Sequence, residues 1–216
     1  GGCAHLLDAL HAPTMPGFVR AFFLSAKKKK KQKEKSIILD ILFLTYTSYN
    51  ILNIKYITRP SPKNLNTEYG LMITINNHLD KYDQVFIAEM GAYKNGEIKT
   101  LCDMVHPKYG ILTRVGTAHL ETFKSRENIQ KGKFELIESL PSDGLAVLNK
   151  DDEWQVSYKL KNNVAVIWIG IESKDADVIA ENIKCSDKGS TFDVKFKGDK
   201  TKYQFETRLL GQNNIY

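Results

Sequence analysis

An α/β fold is predicted, a mainly parallel sheet flanked by helices with a smaller antiparallel sheet toward the C-terminus. Three observations carry it. Apolar, β-branched runs at Val85–Ala88, Tyr109–Val115, Leu145–Leu148 and Val164–Ile169 read as strands buried on both faces. Helical patterns fall between the earlier ones, which implies right-handed βαβ units. From Asp177 the pattern changes to short alternating runs separated by Asp187-Lys188-Gly189 and Lys197-Gly198-Asp199, the mark of antiparallel hairpins.

Taken in order, residues 1 to 35 show poor periodicity and end in the lysine run Lys27 to Lys31, extended by Lys33 and Lys35, so a loose segment is expected. That block accounts for the formal charge of +6 and leaves the remainder near neutrality, which argues against a nucleic-acid partner. Residues 36 to 60 form the start of the next domain. Their apolar stretches Ile37-Ile38-Leu39 and Ile41-Leu42-Phe43-Leu44 fit helix or strand, and Asp40, Asn50, Asn53 and Lys55 keep the segment from spanning a membrane.

Residues 61 to 216 make up the main domain, opening after the break Arg59-Pro60-Ser61-Pro62. Leu71 to Leu79 alternates like a strand, with a short helix as the alternative. Gly96-Glu97-Ile98 opens a helix with Ile98, Leu101, Cys102 and Val105 on one face, ended by Pro107. Ser125 to Leu140 is the clearest helix: Ser125 can cap, Glu127 sits in the first turn, and Ile129, Phe134, Ile137 and Leu140 form an apolar stripe. Three scattered cysteines without a CxxC pair fit a reducing compartment and argue against a disulfide framework or a zinc site. A cytoplasmic protein is expected. The close at Leu210 to Tyr216, within an Asn-rich polar turn, has the look of a cut.

The strand Val85–Ala88 delivers Glu89-Met90-Gly91-Ala92 to its carboxyl end, where open α/β sheets place ligands. Alone, a carboxylate there is as often a solvated loop acid. An ordered series surrounds it: Ser61-Pro62-Lys63-Asn64-Leu65-Asn66-Thr67-Glu68-Tyr69-Gly70 upstream, then Gly96-Glu97-Ile98, Gly116-Thr117-Ala118-His119-Leu120-Glu121, Lys133, and Leu148-Asn149-Lys150-Asp151-Asp152. In that order these segments resemble the central, ATP-binding domain of the Mur ligases, a P-loop NTPase-like fold. Within the family they are most similar to the branch adding D-alanyl-D-alanine to UDP-N-acetylmuramoyl-tripeptide.

The resemblance implies an ATP-dependent amide ligase of peptidoglycan synthesis, a monomer that activates a peptide carboxylate as an acyl phosphate for attack by an amine. It assigns magnesium to Glu89, with His119 also reaching metal, and a carbamate to Lys133 that supports a second ion. Lys133 and His119 are thus the expected catalytic residues. Asn149 would contact adenine with Asp152 supporting its loop, and Asn64, Asn66 and Thr67 would face the UDP-muramoyl substrate. Without that context His119 would read as a strand-end structural histidine, Lys133 as a surface lysine, and the two Asn and Thr as turn formers.

One family element is missing. A phosphate loop GxxGK[ST] belongs within about 35 to 50, yet that stretch offers only Thr45-Tyr46-Thr47-Ser48-Tyr49-Asn50, with no glycine and no lysine after Lys35. Without glycine the backbone lacks ready access to positive φ, so weak or absent ATP binding and an inactive, incomplete ligase are expected. Asn213 also stands where the family carries a histidine. The uridine-binding and C-terminal domains are not recognisable, and one frame disruption before about Ile54 would explain the upstream losses together. The alternatives are a degenerate, non-catalytic binding module and a related ligase such as a cyanophycin or folylpolyglutamate synthetase.

Overall fold

The computed structural model describes residues 35–39, 42–62, 65–208 and 215–216. These divide into two compact units. The larger runs to residue 148 and resumes over residues 152–166, and the smaller contains residues 149–151 and 167 onward.

In the larger unit the strands are β1 (Lys35–Leu39), β2 (Thr58–Pro60), β3 (Val85–Glu89), β4 (Tyr109–Ile111) and β5 (Leu145–Asn149). They lie in the order β2-β3-β1-β4-β5 with every described pairing parallel. Helices α1 (Leu42–Leu52), α2 (Glu68–Asn77), α3 (Glu97–Val105), α4 (Leu120–Phe123) and α5 (Arg126–Glu138) fill the connections, and α6 (Glu153–Val156) follows β5. The expected α/β architecture is present. Burial on both faces explains the unbroken apolar run of β3, where Ile87 and Ala88 are fully enclosed. Opposite it, Ile129, Phe134, Ile137 and Leu140 turn one stripe of α5 and its C-terminal extension into the core. Gly110 lets that helix approach β4 closely: a Cβ there would stand 3.2 Å from the Leu140 Cδ1 and 3.3 Å from the Leu136 Cγ.

Two local expectations are corrected. Leu71 to Leu79 is not a strand, because residues 68–77 form α2. The Thr67 hydroxyl accepts from the Gly70 N–H at 3.3 Å, and burial of Gly70, Leu71 and Thr74 follows helical spacing. The strand expected over Tyr109–Val115 stops at Ile111. Val115 stays fully buried, but its N–H leaves the ladder for the Asp152 carboxylate at 2.7 Å. The ambiguous stretch 36–57 resolves into β1, α1 and the turn beyond. Helix α5 begins where expected, its Ser125 hydroxyl accepting from the Asn128 N–H at 3.2 Å.

In the smaller unit β6 (Ala165–Gly170) pairs parallel with β7 (Val178–Ser186), which continues antiparallel into β8 (Gly189–Phe196) and β9 (Lys202–Thr207). The expected hairpins are therefore present. Phe192 and Phe205 stack across β8 and β9 with centroids 5.8 Å apart. Among the described residues, no helix is long and apolar enough to cross a membrane. The lysine run from Lys27 to residue 34 and Asn213 lie outside the described residues.

Candidate active site

The register of the parallel strands sets the site. Leu39 at the end of β1 pairs with Glu89 at the end of β3 and with Ile111 of β4. The end of β1 therefore lies beside Glu89, at the carboxyl edge where such sheets bind ligands.

Glu89 is half-buried, and Asn66 reaches it directly: the Asn66 Nδ2 donates to the Glu89 Oε1 at 3.0 Å. The Asn66 carbonyl accepts from the Gly91 N–H at 2.9 Å, so Asn66 spans the turn after β3 from both sides. Gly91 is required for that closeness, since a Cβ would sit 3.2 Å from the Asn66 Cγ and Nδ2. The Ser61 Oγ accepts from the Glu89 N–H at 3.0 Å, and the Ser61 N–H donates to the Ile87 carbonyl at 2.7 Å. Thr67 follows Asn66 as the cap of α2. Glu89, Asn66 and Thr67 are thus gathered in one corner, while Asn64 lies outside the described residues.

His119 is exposed and left-handed, with φ 60°, just before α4. Its imidazole meets the Tyr93 ring edge-on, centroids 4.6 Å apart and planes at 70°. Tyr93 also lines a pocket of about 390 Å³ with Thr67 and Gly91, which connects His119 by contact to the Glu89 corner. Lys133 lies half-buried within α5, beside Gly132, whose absent Cβ would fall 2.8 Å from the Asn95 Oδ1. That helix also supplies Glu135, whose carboxylate accepts the Gly96 N–H at 2.6 Å and the Lys99 N–H at 2.9 Å at the start of α3. Glu97 adds a second carboxylate there, accepting the Tyr93 N–H at 2.7 Å and the Lys94 N–H at 3.3 Å.

The loop ahead of His119 is pinned at Val115. Its N–H donates to Asp152, and its carbonyl accepts from the Arg126 guanidinium at 3.0 Å. Arg126 in turn lies over the Trp154 ring, 4.7 Å from the centroid. Asp152 also caps α6 through the Trp154 N–H at 3.1 Å and accepts from the Gln155 side chain at 3.2 Å. Sequence reasoning gave Asp152 only to the Asn149 loop, so this reach to Val115 was missed.

In the smaller unit Asn149 is buried, and its Oδ1 accepts from the Asp151 N–H at 2.9 Å, closing a turn. Asp151 collects the N–H groups of Ile171, Glu172 and Ser173 at 2.6, 2.9 and 2.7 Å, and the Tyr216 hydroxyl at 2.9 Å. Burial pushes its carboxyl up, but the hydrogen bonds from the Ser173 side chain and the three amides outweigh it. They hold the group well below the usual carboxylate range. Ser61, Tyr93, Glu97, Arg126 and Glu135 were not singled out from sequence. An acid in the first helical turn and a serine ahead of proline were the only local signals, and both are common.

The donor set suits a hard cation. A half-buried carboxylate at a strand end is a hard oxygen ligand of the kind magnesium takes. Among the described residues no three His, Cys, Asp or Glu side chains converge on one metal position, so Glu89 would share an ion with water and ligand oxygens. Between β1 and α1 the sequence reads Asp40-Ile41, which lie outside the described residues, and the Thr45-to-Asn50 segment lies within α1. No glycine or lysine occurs from Ser36 to Asn50.

The family model for the Mur ligase middle domain matches residues 34–216. Among curated relatives, the UDP-N-acetylmuramoyl-tripeptide–D-alanyl-D-alanine ligase of Escherichia coli (strain K12) is 28% identical over 133 residues, covering 61% of this chain and 29% of that protein. The UDP-N-acetylmuramoyl-L-alanyl-D-glutamate–2,6-diaminopimelate ligase of Chlamydia muridarum is 36% identical over 107 residues, covering 50% of this chain and 22% of that protein. The chain thus spans under a third of the length of these relatives. The MurF crystal structure from Acinetobacter baumannii superposes with a TM-score of 0.77 at 20% identity, covering 92% of this chain and 42% of that one. The Thermotoga maritima MurF ligase in complex with ADP gives 0.70 at 23%, covering 92% and 44%.

Proposed function

Because the chain belongs to the Mur ligase family, matching its middle domain, we propose that it serves an ATP-dependent ligase of peptidoglycan precursors. In this reading its corner of Glu89, Asn66 and Thr67 organises the carboxylate end of a UDP-N-acetylmuramoyl-peptide around magnesium. The observation that carries the proposal is the Asn66–Glu89 hydrogen bond at 3.0 Å, formed at the carboxyl end of β3 beside the end of β1. Asn66 fixes one carboxylate oxygen and leaves the other to a hard cation, against which an anionic peptide carboxylate is neutralised. His119, whose ring packs against Tyr93, would add a nitrogen ligand to a metal ion. Lys133, carrying a carbamate, would support a second ion, and Asn149 would meet adenine with Asp152 holding the adjoining turn. Asn64 belongs with Asn66 on the substrate side.

The finer assignment is to D-alanyl-D-alanine as the incoming amine and UDP-N-acetylmuramoyl-tripeptide as the acceptor. It is supported by the motif series and by relatives of that name. Relatives that add diaminopimelate or L-alanine also match, so the acceptor series has to be measured. Calorimetric titration of the chain with UDP-N-acetylmuramoyl-tripeptide, its dipeptide and UDP-N-acetylmuramate in the presence of Mg²⁺ ranks them. The tripeptide is expected to bind most tightly and to lose affinity in Glu89→Gln. Equal affinity across the series, or no binding of any, would sink this reading.

The lack of any glycine or lysine from Ser36 to Asn50 supports a companion reading, that this chain alone acts as a binding module without turnover. MgATP is expected to bind more weakly than the micromolar range, with no phosphate released on adding tripeptide and D-alanyl-D-alanine. A micromolar dissociation constant for MgATP would contradict that.

A further inference from the structure

The smaller unit ends in an open edge. Among the described residues β9 pairs with β8 on one side and is the last strand of the sheet, so its other side presents backbone N–H and C=O groups outside any ladder. Side chains alternate along the strand. Lys202, Gln204 and Glu206 share one face and are exposed, while Tyr203 and Phe205 share the other and are half-buried. The aromatic face is organised within the copy: Phe205 stacks on Phe192, and Tyr203 meets Phe196 edge-on with centroids 5.5 Å apart. On the charged face the Glu181 carboxylate takes both Lys195, at 2.7 Å, and Lys202, at 2.9 Å. One carboxylate between two ammoniums leaves a positive charge at the start of β9. Glu206 puts a negative charge near its end, and Gln204 lies midway between the two.

Edge strands usually carry charge that repels a second strand, but the charges of β9 match one arrangement. We infer that β9 pairs antiparallel with β9 of a second copy of this chain, about a two-fold axis at Gln204. In that register Lys202 stands opposite the partner's Glu206, and Glu206 opposite the partner's Lys202. Tyr203 lies beside the partner's Phe205 on the other face, which joins the two aromatic rows into one. Other pairings are penalised. Parallel pairing in register sets Lys202 beside the partner's Lys202 and Glu206 beside the partner's Glu206, and like charges directly opposite destabilise. A one-residue slip of the antiparallel pair sets the charged row of one copy against the aromatic row of the other. The symmetric pairing is isologous and closes at two copies, because each edge covers the other. An interface of one strand pair belongs to the small, transient class below about 1,200 Å², so the dimer forms at high micromolar concentration. This inference stands apart from the ligase reading and departs from the monomer that the family resemblance implies.

Dilution of the ¹⁵N-labelled chain from about 1 mM to about 10 µM covers that range, with sedimentation equilibrium run on the same samples. A monomer–dimer equilibrium is expected, with concentration-dependent amide shifts centred on Tyr203 to Glu206. Lys202→Glu and Glu206→Lys each turn both cross-copy pairs into like-charge pairs, and each should weaken self-association at least about tenfold. In an equimolar mixture of the two variants one strand is negative at both positions and the other positive at both. The mixture should therefore dimerise as the unaltered chain does. Both positions are exposed, and Glu181 keeps Lys195 in Lys202→Glu. The dilution series needs no variant, so it decides the question even where a variant fails to fold. A chain that stays monomeric at about 1 mM, or dilution shifts that map away from β9, overturns the inference. So do single variants that associate as strongly as the unaltered chain, or a mixture that fails to recover the dimer.

Discussion

Asp152→Ala removes the acceptor that draws the loop after β4 and the start of α6 together. The Asp152 carboxylate receives the fully buried Val115 N–H at 2.7 Å, the Trp154 N–H at 3.1 Å and the Gln155 amide at 3.2 Å. Loss of the cap costs about 1 kcal/mol. A buried N–H left unpaired adds about 1–3 kcal/mol, so the total falls at roughly 2–4 kcal/mol. Urea unfolding followed by tryptophan fluorescence suits the question, because Trp154 lies beside the lesion under Arg126. With a slope of about 2 kcal/mol/M the midpoint should move down by about 1–2 M. Native-state hydrogen exchange gives a residue-level check, since the Val115 amide should lose its protection before the amides of β4. A midpoint shifted by less than about a quarter molar, which is about 0.5 kcal/mol, or an unchanged Val115 exchange rate, would refute the reasoning.

Further outcomes follow from the same contacts. Gly91→Ala presses a methyl against Asn66, 3.2 Å from its Cγ and Nδ2. It should cost about 1 kcal/mol of stability and weaken Mg²⁺-dependent binding of UDP-N-acetylmuramoyl-tripeptide in a calorimetric titration. Gly110→Ala meets Leu140 and Leu136 at 3.2 and 3.3 Å, and should destabilise by about 1–3 kcal/mol through overpacking in a urea melt. Burial pushes the Cys102 thiol up to about 12 from 9.0. The unfolded thiol ionises first, so stability is complete below pH 9 and declines as the pH rises from 9 towards 12. Cys102→Ala should flatten that decline in a pH series of melts. Of the cysteines among the described residues, only the exposed Cys185 should react with a thiol reagent before unfolding.

Elements whose burial is periodic could be read from sequence, and so could elements built from local chemistry. Helix α5 was visible because Ser125 caps it and its apolar stripe repeats at helical spacing. β3 was visible because both its faces are enclosed. The segment 71–79 reads as a strand because Leu71, Ile73 and Ile75 fall on alternate positions, and the helical alternative prevails through the Thr67 cap, the Thr74 hydroxyl donating to the Gly70 carbonyl at 2.9 Å, and packing. No pattern inside Leu71-to-Leu79 records that cap. The site divides in the same way. Glu89, Asn66 and Thr67 were named from an ordered series of motifs, while the hydrogen bond between Asn66 and Glu89 was not legible there. Tyr93 against His119, Glu135 at the start of α3 and Arg126 at Val115 are long-range pairings between unremarkable surface residue types, and only tertiary structure brings them together.

A helix start ordinarily recruits anions, but at α3 the protein's own Glu135 already takes the Gly96 and Lys99 N–H groups. That end of the helix is therefore capped from within, so an anion arriving there meets a carboxylate where it would otherwise meet two free N–H groups. The acceptor is supplied by α5, 36 positions along the chain from Lys99.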